Sequence, residues 1–152
     1  MRLLSLLFPV KIGEVKSFYL SGADGCEMYS GYHYRLTLSG SGGYEAEYKQ
    51  SGKPDEKAYK KQADKAFADR LCQIMKDKRT GRYNGYRKTN RLVMDGTGFG
   101  LDVRFTNGKS IKASGYMKSP TGYNDFEAAV CSLFEKLFES EINDNEQEDK
   151  HI

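Results

Sequence analysis

The stretch Phe99–Tyr116, FGLDVRFTNGKSIKASGY, carries the reading of the fold. Phe99, Leu101, Val103 and Phe105 alternate with Gly100, Asp102, Arg104 and Thr106, the period of two that marks a strand with one buried face. Asn107-Gly108 supplies a turn, and Ile111 and Ala113 fall on the return strand. A two-residue type I′ turn would pair Val103 with Lys112 and Arg104 with Ile111, mixing apolar and charged side chains on both faces. A three-residue loop with Gly108 left-handed in a bulge shifts the pairing by one. Val103 then meets Ile111, Leu101 meets Ala113, Phe99 meets Gly115, and Asp102 lies beside Lys112. A slip of one residue inverts every side chain, so the hydrophobic pattern selects the bulged hairpin. The charge pair adds only ~0.5 kcal/mol, against roughly 1.5–3 kcal/mol for each large side chain fully buried.

The strands before this hairpin follow the same alternation. Glu14–Ser21 places Phe18 and Leu20 on one face and Tyr19 on the other. Gly31–Ser39 turns Tyr32, Tyr34, Leu36 and Leu38 inward and His33, Arg35 and Thr37 outward. Tyr44–Gln50 does so with Tyr44, Ala46 and Tyr48 inward, and Glu45 and Glu47 within reach of Arg35 across the strands. Lys57–Lys61 reads as a short fourth strand whose lysines suit an edge. Ala63–Lys78 is a helix, with Ala63, Phe67, Leu71, Ile74 and Met75 in one stripe. The last helix, Asp125–Glu139, has a broad face of Phe126, Ala129, Val130, Leu133, Phe134, Leu137 and Phe138. Asn124 with Glu127 three residues on reads as its capping box. Together these predict an α+β fold: a single domain over 13–140, an antiparallel sheet of about six strands, and two amphipathic helices packed on one face. A closed or strongly curved sheet is the alternative. A short apolar arm over 1–12 precedes the domain, and an acidic tail over 141–152, without periodicity, reads as disordered.

The chain has 152 residues, 11 Tyr, 8 Phe, no Trp and a formal charge of +3, too little to mark a nucleic-acid binder by itself. The charge is unevenly placed. Between Lys49 and Arg91 there are 14 basic and 5 acidic residues, and between Asn124 and Ile152 there are 2 Lys and 9 acidic residues. Such a division suits intramolecular complementarity and solvated helix faces. Cys26, Cys72 and Cys131 are odd in number and at unrelated spacings, which fits neither a disulfide framework nor a zinc site. Reduced thiols suit a cytoplasmic protein. The run MRLLSLLFPV at Met1–Val10 is too short to span a bilayer and lacks a signal-peptide cleavage pattern. It reads as an arm that docks on this domain or on a partner, since such a patch left exposed is a liability.

Chemistry-bearing motifs are few. His33 sits mid-strand on a polar face, Asp95 and Asp102 are seven apart, and no Ser-His-Asp order, HExxH or CxxC occurs. Gly96-Thr-Gly-Phe-Gly100 resembles a phosphate loop but leads into a strand rather than a helix. No catalytic residue, metal site or cofactor is expected. Arg79–Arg91 is the informative connection. Its Arg82, Tyr83, Tyr86 and Arg87 combine guanidinium groups, rings and glycines, which serves single-stranded nucleic acid or a protein interface. A connection whose tyrosines pack against the sheet explains the same residues.

Several pieces together resemble a family of small bacterial α+β domains of unknown function. They are SFYLSG at Ser17–Gly22, the Gly/Tyr-rich strand after it, Gly81-x-Tyr-Asn-Gly-Tyr86, Asp95-Gly-x-Gly-Phe99, Ile111-Lys-Ala-Ser-Gly-Tyr-Met117 and the Phe-rich final helix. The resemblance spans about Glu14–Glu139 and implies a self-contained domain; it brings no functional residues. The expected function is a non-enzymatic cytoplasmic binding or protein-interaction module, engaging another protein or itself through the arm. The alternatives are an enzyme acting on a phosphate-bearing substrate, with Asp95 or His33 in its pocket, and a weak single-stranded nucleic-acid binder through residues 79–91.

Overall fold

A computed structural model of the chain describes residues 9–24, 30–89 and 97–150. The expected arm (residues 1–8 of it), Cys26, Arg91 and Asp95 lie outside the described residues. One sheet contains seven strands: β1 (Val15–Asp24), β2 (Gly31–Leu38), β3 (Tyr44–Lys49), β4 (Tyr59–Ala63), β5 (Arg87–Thr89), β6 (Thr97–Phe105) and β7 (Ser110–Tyr116). Their order is β4-β3-β2-β1-β6-β7-β5. Helix α1 (Lys65–Asp77) follows β4, and α2 (Tyr123–Leu137) and α3 (Glu139–Lys150) follow β7. The class is α+β. Among the described residues, no helix is long and apolar enough to cross a membrane.

The hairpin β6–β7 adopts the bulged register. Val103 pairs with Ile111, Leu101 with Ala113, Phe99 with Gly115 and Asp102 with Lys112. Gly108 takes φ 87°, which costs a residue without Cβ nothing. The Gly108 N–H donates to the Phe105 carbonyl at 3.0 Å, and the Phe105 N–H to the Lys109 carbonyl at 2.9 Å. Asp102 is drawn towards Arg104, 3.8 Å away on its own strand.

The sheet differs from six antiparallel strands. β5 is a seventh, and it runs parallel to β7 with Arg87 beside Ser114 and Thr89 beside Tyr116. Its three residues are all exposed, so no alternation marks it. Its pairing is set by what precedes it. Gly85 N–H donates to the Lys112 carbonyl at 2.8 Å, and Ser114 N–H to the Tyr86 carbonyl at 2.9 Å. The Asn84 side chain accepts from Lys112 N–H at 2.9 Å.

The inner face of the sheet meets the helices. Phe18, Leu20, Leu36, Ala46, Val103 and Ile111 are fully buried there, against Phe67, Leu71 and Met75 of α1 and Phe126, Val130 and Phe134 of α2. Phe67 and Phe134 meet edge to face at 5.2 Å, and Phe18 meets Phe126 at 6.5 Å. Such pairs add ~0.5–1.5 kcal/mol beyond area burial. The Asp64 carboxylate caps α1 by accepting from Phe67 N–H at 2.9 Å. On the outer face Glu47 accepts from His33 Nε2 at 2.7 Å, with Arg35 and Lys60 each at 3.4 Å. Burial raises the Glu47 carboxyl, but these three partners outweigh it and hold the group below its ordinary value.

Two helix ends also differ from expectation. α2 begins at Tyr123 with Gly122 as its cap, so Asn124 and Glu127 form no capping box. The segment after Ser140, expected to be disordered, is helical through Lys150. Ile142 packs against the core, Lys61 lies 2.9 Å from Glu141, and Asn145 donates to the Tyr59 hydroxyl at 3.1 Å. Hydropathy periodicity is weak in this helix because its anchors are mostly polar.

Candidate functional sites along helix α2

Helix α2 presents three stripes, because residues three and four apart share a face. Phe126, Val130 and Phe134 enter the core. Glu127, Cys131 and Glu135 form a second stripe, turned towards tyrosines of β2 and β3. Ala129, Leu133 and Leu137 form a third, turned towards α1.

On the second stripe, Tyr32 and Tyr123 both donate their hydroxyls to the same Glu127 oxygen, Oε2, at 2.8 and 2.7 Å. Tyr32 reaches this place by lying over Gly22, where a Cβ would collide with its ring. Burial first, and then the Glu127 carboxylate, raise the Tyr123 phenol well above its ordinary value. Eight residues on, Glu135 Oε1 accepts from Cys131 at 3.1 Å and from the Tyr48 hydroxyl at 3.4 Å. Burial pushes the Cys131 thiol up to about 11, Tyr34 opposing and Glu135 adding to the rise. At neutral pH this thiol is protonated and a poor nucleophile.

On the third stripe, an open groove of about 640 Å³ runs between α1 and α2. Phe67, Ile74, Ala129, Leu133 and Leu137 supply its apolar lining, and Arg70, Gln73, Asp77, Ser132 and Lys136 its rim. Asp77 takes the Gln73 amide at 2.7 Å, and among the described residues none of the rim charges Arg70, Asp77 and Lys136 has an ion-pair partner, so the rim is net positive.

The residues singled out in the 79–91 connection are divided by the fold. The Tyr83 ring is buried against Phe126 at 6.1 Å, with its hydroxyl donating to the Thr121 carbonyl at 3.1 Å. Tyr86 is buried 6.2 Å from Phe99. Neither ring is offered to a base. Arg82 turns back to donate to the Arg79 carbonyl at 3.2 Å. Arg87 is exposed and belongs to the outer sheet face, in a depression with Tyr19, Asp102 and Lys112. Among the described residues, no three His, Cys, Asp or Glu side chains gather as a metal site. The sequence reading places Tyr32 on the inner sheet face and Glu127 in a capping box, and passes over Tyr123 and Glu135. The signal for this stripe is the i, i+4, i+8 spacing of Glu127, Cys131 and Glu135 beside the apolar face.

No protein-family model matches the chain, and a comparison with curated proteins finds no match.

Proposed function

We propose that the protein is a non-enzymatic interaction module that seats an amphipathic helix of a partner protein in the groove between α1 and α2. One observation supports this reading above the others. The half-buried Ile74, Leu133 and Leu137 line a continuous apolar channel instead of lying singly on the surface. Its lining runs from Phe67 to Asp77 on α1 and from Ala129 to Leu137 on α2, roughly 12–15 Å at 1.5 Å per residue, room for about two turns of an incoming helix. The rim chemistry selects the partner's flanks. Arg70 and Lys136 favour Asp or Glu beside the apolar anchors of the incoming helix.

A displayed library of helical peptides, panned on the full chain and on Leu133→Asp, tests this. The expected result is enrichment, on the unaltered chain only, of sequences with Leu, Ile or Phe at i, i+3/i+4 and i+7 and acidic flanks. Losing one well-buried anchor contact of roughly 1.5–3 kcal/mol weakens binding about ten- to a hundredfold. A consensus that survives in Leu133→Asp, or no consensus at all, refutes the assignment to this groove. Leu133 is half-buried, and an unchanged melting curve verifies that the variant folds.

A further inference from the structure

On the opposite flank of α2, two adjoining cavities of about 330 and about 290 Å³ meet at Tyr32, Asn124 and Glu127. We propose that this tyrosine-walled groove binds a linear polyamine, with one ammonium on Glu127 Oε1 and the chain running along α2 towards Glu135. The inference is independent of the α1/α2 groove.

Glu127 carries the argument. Both tyrosine hydroxyls converge on its Oε2, and among the described residues Oε1 accepts no hydrogen bond and no cation lies within ion-pair distance of the carboxylate. Two neutral O–H donors hold the carboxylate in place and bring it no counter-charge. A half-buried carboxylate is thus held in place with one oxygen open to the groove. A half-desolvated charge of this kind is stabilised by a counter-ion that brings its own N–H donors.

The walls suit a cation. Tyr123 and Phe99 lie with ring centroids 4.3 Å apart on one side of Glu127. Tyr32, Tyr34 and Tyr48 continue on the other, Tyr34 and Tyr48 stacked at 5.2 Å. Of these rings Tyr32 is the half-buried one that offers a face to the groove, where it attracts an ammonium group and its polarised methylenes; the others are buried behind it, Tyr34 meeting it edge to face at 6.0 Å. Polarity along the groove sets the direction of the ligand. Lys118 stands at the Met117 end and repels an ammonium there. Glu135 lies eight residues beyond Glu127, about 12 Å along the helix axis, outside the two cavities and exposed. A triamine with three- and four-carbon spacers, extended, reaches between the two carboxylates. A compact divalent metal cannot contact both.

Spermidine titrated into the full chain at constant ionic strength, followed by calorimetry and by intrinsic tyrosine emission, tests the proposal. Saturable one-to-one binding is expected. Glu127→Gln should weaken it about tenfold or more, which is about 1.4 kcal/mol or more. Asn124→Lys, at an exposed position shared by both cavities, should abolish it while leaving the Tyr–Glu bonds intact. Leu133→Asp should bind as the unaltered chain does. No saturable binding in the millimolar range overturns the inference. So does equal affinity in Glu127→Gln, or equal competition by magnesium at matched charge, which would reduce the effect to unspecific screening.

Discussion

Replacing Tyr83 by alanine removes a ring that is 2% exposed and meets Phe126 edge to face at 6.1 Å. Deleting a buried aromatic of this size costs about 3–5 kcal/mol, the loss of transfer energy plus the cavity left behind. Tyr83→Phe keeps the ring and removes only the hydroxyl that donates to the Thr121 carbonyl at 3.1 Å. Thr121 is exposed, so water replaces the lost donor and the cost falls to about 0.5–1.5 kcal/mol. Urea unfolding followed by circular dichroism separates the two, provided the m-values agree. For a chain of this length each kcal/mol moves the melting temperature by roughly 2–4 °C. The alanine variant should therefore melt about 6–20 °C lower. A loss below about 1 kcal/mol in Tyr83→Ala would refute the buried assignment and return the 79–91 connection to candidacy as a stacking surface.

Glu47 makes stability depend on pH. Its folded-state value is depressed, so its contribution is present above the unfolded carboxylate value and is lost as pH falls through the folded one. Glu47→Gln should be less stable than the unaltered chain at neutral pH, and the two melting curves should converge below the usual carboxylate range; a pH-independent difference refutes the ion-pair account. Ending the chain at Ser140 removes Ile142 and the Glu141 partner of Lys61. The expected loss is about 1–2 kcal/mol, from a half-buried aliphatic side chain and a surface ion pair worth at most about 1 kcal/mol; an unchanged urea midpoint shows that α3 does not dock.

The hairpin register is legible in Phe99–Tyr116 because three independent signals agree. The alternation fixes the face, Gly108 fixes the turn, and one slip exposes the whole apolar row. β5 is not legible, since Arg87-Lys88-Thr89 has no buried side chain and its place is set by the backbone of Gly85 and Tyr86 before it. Glu127 is misleading for a different reason. Its spacing from Asn124 satisfies a capping pattern, but two tyrosine hydroxyls from distant positions compete for the carboxylate and win. Tyr83 and Tyr86 show the same limit. Composition fits a binding surface and a connection packed on the sheet alike, and only the packing of Phe126 and Phe99 against them assigns them to the core. The candidate site is therefore written in pairs such as Tyr32–Glu127, 95 positions apart, which no local window contains.

The place of β1 at the centre of the sheet sets an order of events for the chain as it folds. On one side β1 pairs with its immediate successor, so β1 to β4 close as a meander of neighbours. On the other side it pairs with β6, from Asp24 with Thr97 to Val15 with Phe105. The β6–β7 hairpin forms locally, but docking it encloses most of the intervening chain, including α1. That closure carries the larger entropic cost and is the slow kind of contact in folding. β1 is thus the seam between two locally assembled halves, and substitutions of Phe18 or Leu20 should slow folding more than those on the outer strands.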